Sequence, residues 1–132
     1  MQAFAIFNAL LTAAPGVTAL VGDRIYPIEL PQATPPDAIV MDQEYDRSLE
    51  TINADGGYNL RQASVVLHLI ARDLTALAAL ASAVEAACNF KRGAVAGLNV
   101  VTVAAGEQGA PDLESSIPLS YLPIRYQLTY RR

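Results

Sequence analysis

The sequence predicts an α+β fold: a mainly antiparallel sheet with two amphipathic helices packed on it and one long β-hairpin or loop. Three observations lead there. Apolar residues recur at helical spacing in two segments, one at the start of the chain and one past its middle. Period-two alternation marks residues 38–47, 61–71 and 121–130. The elements run helix, strands, helix, strands, without the regular strand–helix alternation of a parallel sheet.

Ala3, Phe7, Leu10, Leu11 and Ala14 fall on one stripe of the first helix, and Phe4 and Ile6 broaden it. Pro15-Gly16 ends this helix. Val17, Leu20 and Val21 give one further helical turn, closed by Gly22. Arg24-Ile25-Tyr26 reads as a short strand, which Pro27 keeps out of a sheet interior. Pro31, Pro35 and Pro36 make an extended connector, because each fixes its own φ and pushes the preceding residue toward β. In residues 38–47, Ile39, Met41 and Tyr45 are expected on one side, and Asp42, Glu44 and Asp46 on the other. The partner strand covers residues 61–71. Ala63, Val65, Leu67 and Leu69 share one face, and Val66 and Ile70 flank His68 on the other. A strand apolar on both faces belongs in the middle of its sheet. Residues 48–60 join the two and contain Asp55-Gly56, a tight-turn signal compatible with a long hairpin or a loop.

Asp73 is an N-cap for the second helix. Leu74, Leu77, Ala81, Val84 and Cys88 form its inner stripe, ending near Asn89. Residues 98–105 read as another strand and residues 106–118 as a polar loop with Gly109, Pro111 and Pro118. The last strand carries Leu122, Ile124, Tyr126, Leu128 and Tyr130 on one face and Arg125, Gln127 and Thr129 on the other.

With 132 residues, 52% of them hydrophobic, residues 1–132 make one domain able to bury a core without staples. Nine basic against 13 acidic side chains, a net charge of −4, argue against nonspecific nucleic-acid binding. The basic doublets Lys91-Arg92 and Arg131-Arg132 read as solvated surface. Cys88 is the single cysteine, which excludes an intrachain disulfide and fits a reducing compartment. Residues 1–14 carry no Lys or Arg ahead of their apolar part and read as an amphipathic helix rather than a leader. Nothing reaches the length of a membrane span, so no membrane partner is expected.

Residues suited to chemistry are few. His68 sits mid-strand among aliphatics, which suits a structural or surface-lining histidine better than a general base. Cys88 lies on a buried stripe, where a thiol packs as a small hydrophobe. One cysteine and one histidine cannot build the usual zinc site. Asp42, Glu44 and Asp46 form the sharpest constellation: carboxylates ~6–7 Å apart at strand rise, able in principle to hold a divalent cation. A metal-dependent nuclease would place a lysine where Glu44-Tyr45-Asp46 has an acid. An exposed or pore-facing acidic surface fits better. Residues 93–97 lack the spacing of a dinucleotide fingerprint, and neither a phosphate-loop lysine motif nor a Gly-x-Ser-x-Gly elbow occurs. Tyr126 and Tyr130 face inward by parity and read as core rather than as a base-stacking platform. The expectation is a building block rather than an enzyme, with no cofactor.

Residues 9–13, then Val17-Thr18-Ala19-Leu20-Val21-Gly22-Asp23-Arg24-Ile25-Tyr26-Pro27, then a proline-containing gap and Ala38-Ile39-Val40, resemble the tail terminator family of long-tailed bacteriophages. These proteins are also called tail-completion or tail-to-head joining proteins, and relatives occur in gene transfer agents and defective prophages. Residues 65–72 leading into Asp73-Leu74 and the following helix, and the closing strand 123–130, are similar to the family's later part. The likeness spans nearly the whole chain, through a diffuse pattern rather than a catalytic signature. Ala38 and Met41 stand where the family often has aromatics.

The resemblance implies a subunit of a ring, usually of six copies, that caps the finished tail tube and joins it to the head connector or stopper protein. DNA would pass through the lumen without sequence-specific binding. It implies a place at the tail–head junction of a virion, reached from the host cytoplasm. On that reading Asp42, Glu44 and Asp46 are expected to line the lumen. Ser48, Glu50, Asn53, Asp55, Tyr58, Glu107, Asp112 and Glu114 are expected in loops that meet the tail or neck. The alternatives are another neck protein (a head-completion or connector-stopper protein), a small carboxylate–metal hydrolase, or a soluble ligand-binding module.

Overall fold

The computed structural model describes residues 2–28, 37–48, 60–89, 91–108, 112–114 and 119–131. Three helices, α1 (Gln2–Thr12), α2 (Pro15–Val21) and α3 (Leu74–Cys88), pack on a seven-stranded sheet. The strands are β1 (Ile25–Pro27), β2 (Ala38–Ser48), β3 (Leu60–Ala71), β4 (Gly93–Val95), β5 (Leu98–Gln108), β6 (Asp112–Glu114) and β7 (Leu119–Arg131). Their order is β1-β2-β3-β7-β5-β4, with β6 also paired to β7. Among the described residues, only β1 against β2 is parallel. The α+β class expected from the sequence is what forms.

The helices cover one face. Ala63, Val65, Leu67 and Leu69 of β3, and Leu122, Ile124, Tyr126, Leu128 and Tyr130 of β7, form a single buried cluster with Ile6, Phe7 and Leu11 of α1, Val17 and Val21 of α2, and Leu80, Val84 and Cys88 of α3. β3 is central, between β2 and β7, as its two apolar faces required. The Phe7 and Tyr126 rings meet at 5.8 Å between centroids, within the usual range for aromatic pairs.

Local chemistry sets the helix ends. Thr12 Oγ1 donates to the Asn8 carbonyl at 2.7 Å as α1 closes. Ala14 is extended, and Pro15 opens α2, where a missing N–H costs nothing. α2 is therefore a helix of its own, set at 90° to α1, rather than a single added turn. No single helix among the described residues is long and apolar enough to cross a membrane. Asp73 caps α3, its side chain accepting from the Ala76 N–H at 2.7 Å.

The Gly-Asp-Arg-Ile-Tyr-Pro run proves to be a clasp. Gly22 takes φ 60° to leave α2, a value that favours glycine. Arg24 then donates from Nε to the Asp37 carbonyl at 3.0 Å and from Nη2 to the Leu20 carbonyl at 3.4 Å. Asp37 returns the favour to the sheet: its Oδ1 accepts from the Arg72 N–H at 3.1 Å. One guanidinium thus ties the end of α2 to the start of β2, and one carboxylate ties that start to the end of β3.

One expectation is corrected. Residues 106–118 are not all loop: β5 runs on to Gln108, and β6 occupies Asp112–Glu114 beside the start of β7. Residues 93–97 form β4 and a two-residue turn, with Ala96 at φ 52° and Gly97 at φ 78°, the geometry of a tight hairpin. The antiparallel pairing of β2 with β3 is present. The Asp55-Gly56 turn between them, and the connector with Pro31, Pro35 and Pro36, lie outside the described residues.

Candidate functional surface: the bare face of the sheet

The face of the sheet opposite the helices carries a mosaic of polar and aromatic side chains. The register defines it row by row: Val40, His68 and Pro123; Asp42, Val66 and Arg125; Tyr45, Ser64, Gln127 and Ala104; Arg47, Gln62, Thr129 and Thr102. No helix covers these rows among the described residues.

A register shift between Gln43 and Tyr45 leaves Glu44 as the extra residue of a β-bulge. This overturns the expectation that Asp42, Glu44 and Asp46 share a face, and that Tyr45 lies with Ile39 and Met41. Beyond the bulge the parity inverts. Asp42, Glu44 and Tyr45 lie on the bare face, and Asp46 turns to the helix side with Gln43. Gln43 Oε1 is buried there without a hydrogen-bond partner among the described residues. The three carboxylates do not converge, and no cluster of three metal-ligating side chains occurs among the described residues.

Asp46 and Glu44 do different work. Asp46 Oδ1 accepts from Arg61 Nε at 2.9 Å, and Oδ2 accepts from the Tyr130 hydroxyl at 2.7 Å. The carboxylate holds the Arg61 pKa above its ordinary value. Burial, and then the hydrogen bond to Asp46, push the Tyr130 phenol up. Glu44 instead meets Arg125 through both carboxylate oxygens, Oε1 at 2.5 Å and Oε2 at 3.1 Å, and accepts from the Ser64 hydroxyl at 2.8 Å. The Arg125 and Ser64 hydrogen bonds hold its carboxyl below the usual 4.5.

Around that pair, Gln127 Nε2 donates to the Tyr45 hydroxyl at 3.2 Å, the Arg47 guanidinium lies 4.8 Å from the Tyr45 ring centroid, and Arg47 Nη2 donates to Gln62 Oε1 at 2.8 Å. The face is charge-compensated rather than acidic, with Asp42 and Glu44 set against Arg47 and Arg125. Arg125, Tyr45 and Gln127 as a connected group were not foreseen. Opposite polarity at cross-strand positions was the available signal, and it needed the register to be read.

His68 lies on this face, half-buried, its Nδ1 hydrogen-bonded to the Tyr121 hydroxyl and its ring stacked on Tyr121 at 5.6 Å. Cys88 is fully buried, and desolvation pushes its thiol up to about 12, far from a reactive thiolate.

The expected contact segments leave the sheet at opposite ends. Ser48 closes β2 at the end where β3 and β5 begin and β7 finishes. Glu107, near the end of β5, and Asp112 and Glu114 of β6 belong to the other end, where β7 begins. Glu50, Asn53, Asp55 and Tyr58 lie outside the described residues.

The family model described as "Tail completion protein gp17" matches residues 5–111 of this chain. A chain in a structure titled "Virion of native gene transfer agent (GTA) particle" superposes with a TM-score of 0.73 at 15% identity, over 98% of this chain and 94% of that one. At that identity the likeness is one of fold. No curated protein matches the sequence at a significant level.

Proposed function

Because the chain belongs to the tail completion protein gp17 family and so serves tail assembly, we propose that it closes into a six-membered ring. The ring caps the finished tail tube and joins it to the head connector or stopper protein. The family match over residues 5–111 carries this reading. The fold supports it: one face is dry and committed to the helices, the other is bare, and two segments emerge from opposite ends of the sheet to serve as the two rims. The work is mechanical rather than catalytic, and the protein acts at the tail–head junction after reaching it from the host cytoplasm.

In this reading the bare face lines the lumen. Asp42 and Glu44 stay in the lining, while Asp46 serves the subunit's own frame. The compensated pairs offer a passing phosphate chain no net positive surface to hold, so DNA slides. Residues 48–60 and 106–116 meet the tube and the neck.

The test is assembly in the absence of the protein. Particles made without it should accumulate filled heads and unjoined tails, and adding the purified protein should restore joined particles. Joined, infectious or DNA-delivering particles formed without it would end the proposal.

A further inference from the structure

Among the described residues the sheet has two open edges. β1 pairs with β2 only at Ile39, Val40 and Met41, and Ile28 N–H adds one bond to the Met41 carbonyl. From residue 42 to residue 48, β2 has no neighbour on its outer side among the described residues. On the far side, β4 pairs with β5 only at Leu98, Asn99 and Val100. Residues 102–108 of β5 are likewise open on their outer side. Neither stretch contains proline or lysine, two of the devices that blunt an edge; each does carry a register shift, at Glu44 in β2 and between Ala105 and Gln108 in β5, and the β2 stretch carries four charges, Asp42, Glu44, Asp46 and Arg47. The β5 stretch begins Thr-Val-Ala-Ala-Gly, with no charge until Glu107. An uncharged open edge with small side chains lets another backbone approach and is a template for another strand.

The edges also correspond in height and direction. Reading across the sheet, Thr102 shares a row with Thr129, Gln62 and Arg47; Ala104 with Gln127, Ser64 and Tyr45; and Gln108 with Ile124, Leu67 and Met41. The open part of β5 is therefore level with the open part of β2. β2 is antiparallel to β3, β3 to β7, and β7 to β5, so the two edges run in opposite directions. The short outer strands sit at opposite ends, β1 beside residues 39–41 and β4 beside residues 98–100; β1 reaches the row of Gln108, so the stretch left clear on both edges runs from Thr102 to Ala105, level with Arg47 to Gln43. Both flanks carry apolar surface beside these strands: Phe4, Ile25, Pro27 and Ile28 next to β2, and Leu10, Pro15, Ala94 and Val95 next to β4.

We propose that copies of this chain join by strand addition, the open edge of β5 in one copy pairing antiparallel with the open edge of β2 in the next. The contact is heterologous, since it joins two different surfaces, and it closes when the rotation per copy allows. All bare faces then lie on one side of a continuous sheet, and all helices on the other. The proposal rests on the ring reading above and adds the joint that builds it. Four strands per copy (β2, β3, β7 and β5) cross the level of the joint. At ~4.8 Å per strand and about 5 Å of side chain on each wall, six copies enclose a hole of roughly 25 Å with untilted strands and about 35–40 Å at the tilt usual in barrels.

The test is a cysteine scan at bare-face positions of the two edges. Thr102→Cys or Ala104→Cys is combined with Arg47→Cys or Tyr45→Cys in the full chain, which is incubated with isolated tail tubes, oxidised and run without reductant. Single-cysteine variants serve as controls, and rings are imaged by negative stain. Disulfide geometry demands neighbouring strands. The expected result is a ladder up to a closed covalent ring, with loss of the monomer band, in at least one combination and in none of the singles. Rings that image normally while no combination cross-links would overturn strand addition and leave the ring standing. Failure to form rings even in the unmodified protein would overturn both.

Discussion

The two faces of one sheet have opposite fates. On the helix side, Leu67, Tyr126 and Leu128 are fully buried in a layer closed by α1, α2 and α3. On the other side, Tyr45, Arg125 and Gln127 form a polar lattice facing outward. The bulge at Glu44 divides them: Glu44 braces the open face through Arg125, and Asp46, two residues on, ties Arg61 and Tyr130 into the closed side. The lesson is that position along a strand assigns a carboxylate to fold or to surface only once the register is known.

The largest test of this contrast compares neighbours on β7. Tyr126→Ala should cost about 3–5 kcal/mol of stability, whereas Gln127→Ala, one residue on and facing the other way, should stay within about 0.5 kcal/mol. Chemical denaturation of the two variants measures both. Equal losses would mean that the bare face is packed after all.

A smaller effect separates the acids. Asp46→Ala removes the acceptor from Arg61 and Tyr130 and should cost about 1–3 kcal/mol, while Asp42→Ala should be close to neutral in folding. Thermal melts at neutral pH distinguish them.

The smallest effect is a pH dependence. The folded-state pKa of Glu44 lies below 4.5, held there by Arg125 and Ser64. Its contribution is therefore present above pH 4.5 and is lost as the pH falls through the lowered folded value. The stability difference between the wild type and Glu44→Gln should be small and constant at neutral pH and should vanish in acid. A difference that grows on acidification would reverse the assignment.

How much of this was legible in the sequence depended on apolar parity. β7 is legible to its faces because Ile124, Tyr126, Leu128 and Tyr130 alternate with Arg125, Gln127 and Thr129, and β3 is legible as a central strand because Val66 and Ile70 make its second face apolar too. α3 was legible from its Asp73 cap and its buried stripe. β2 was legible only as far as Met41. From Asp42 to Ser48 every residue but Tyr45 is polar, so no periodic signal located the bulge, and the acidic triad was drawn on one face. The C-terminal part of β5 and β6 were hidden for the same reason: Gly106-Glu107-Gln108 and Asp112-Leu113-Glu114 have no apolar repeat. β4 gives no strand signal because it is three small residues, Gly93-Ala94-Val95, closed by a turn at Ala96-Gly97. The Gly-Asp-Arg-Ile-Tyr-Pro run was visible as a motif, but the partners of Arg24, Leu20 and Asp37, become clear only when α2 and β2 are placed together.

The most direct measurement is a cryo-electron reconstruction of the purified protein seated on the end of a tail tube, at a resolution that separates strands from helices. The expected result is a six-fold ring whose bare sheet face, with Tyr45, Arg125 and Gln127, surrounds the channel and whose helices form the outer wall. A ring with α1 and α3 turned to the channel, or a tube end that recruits no ring, would contradict it.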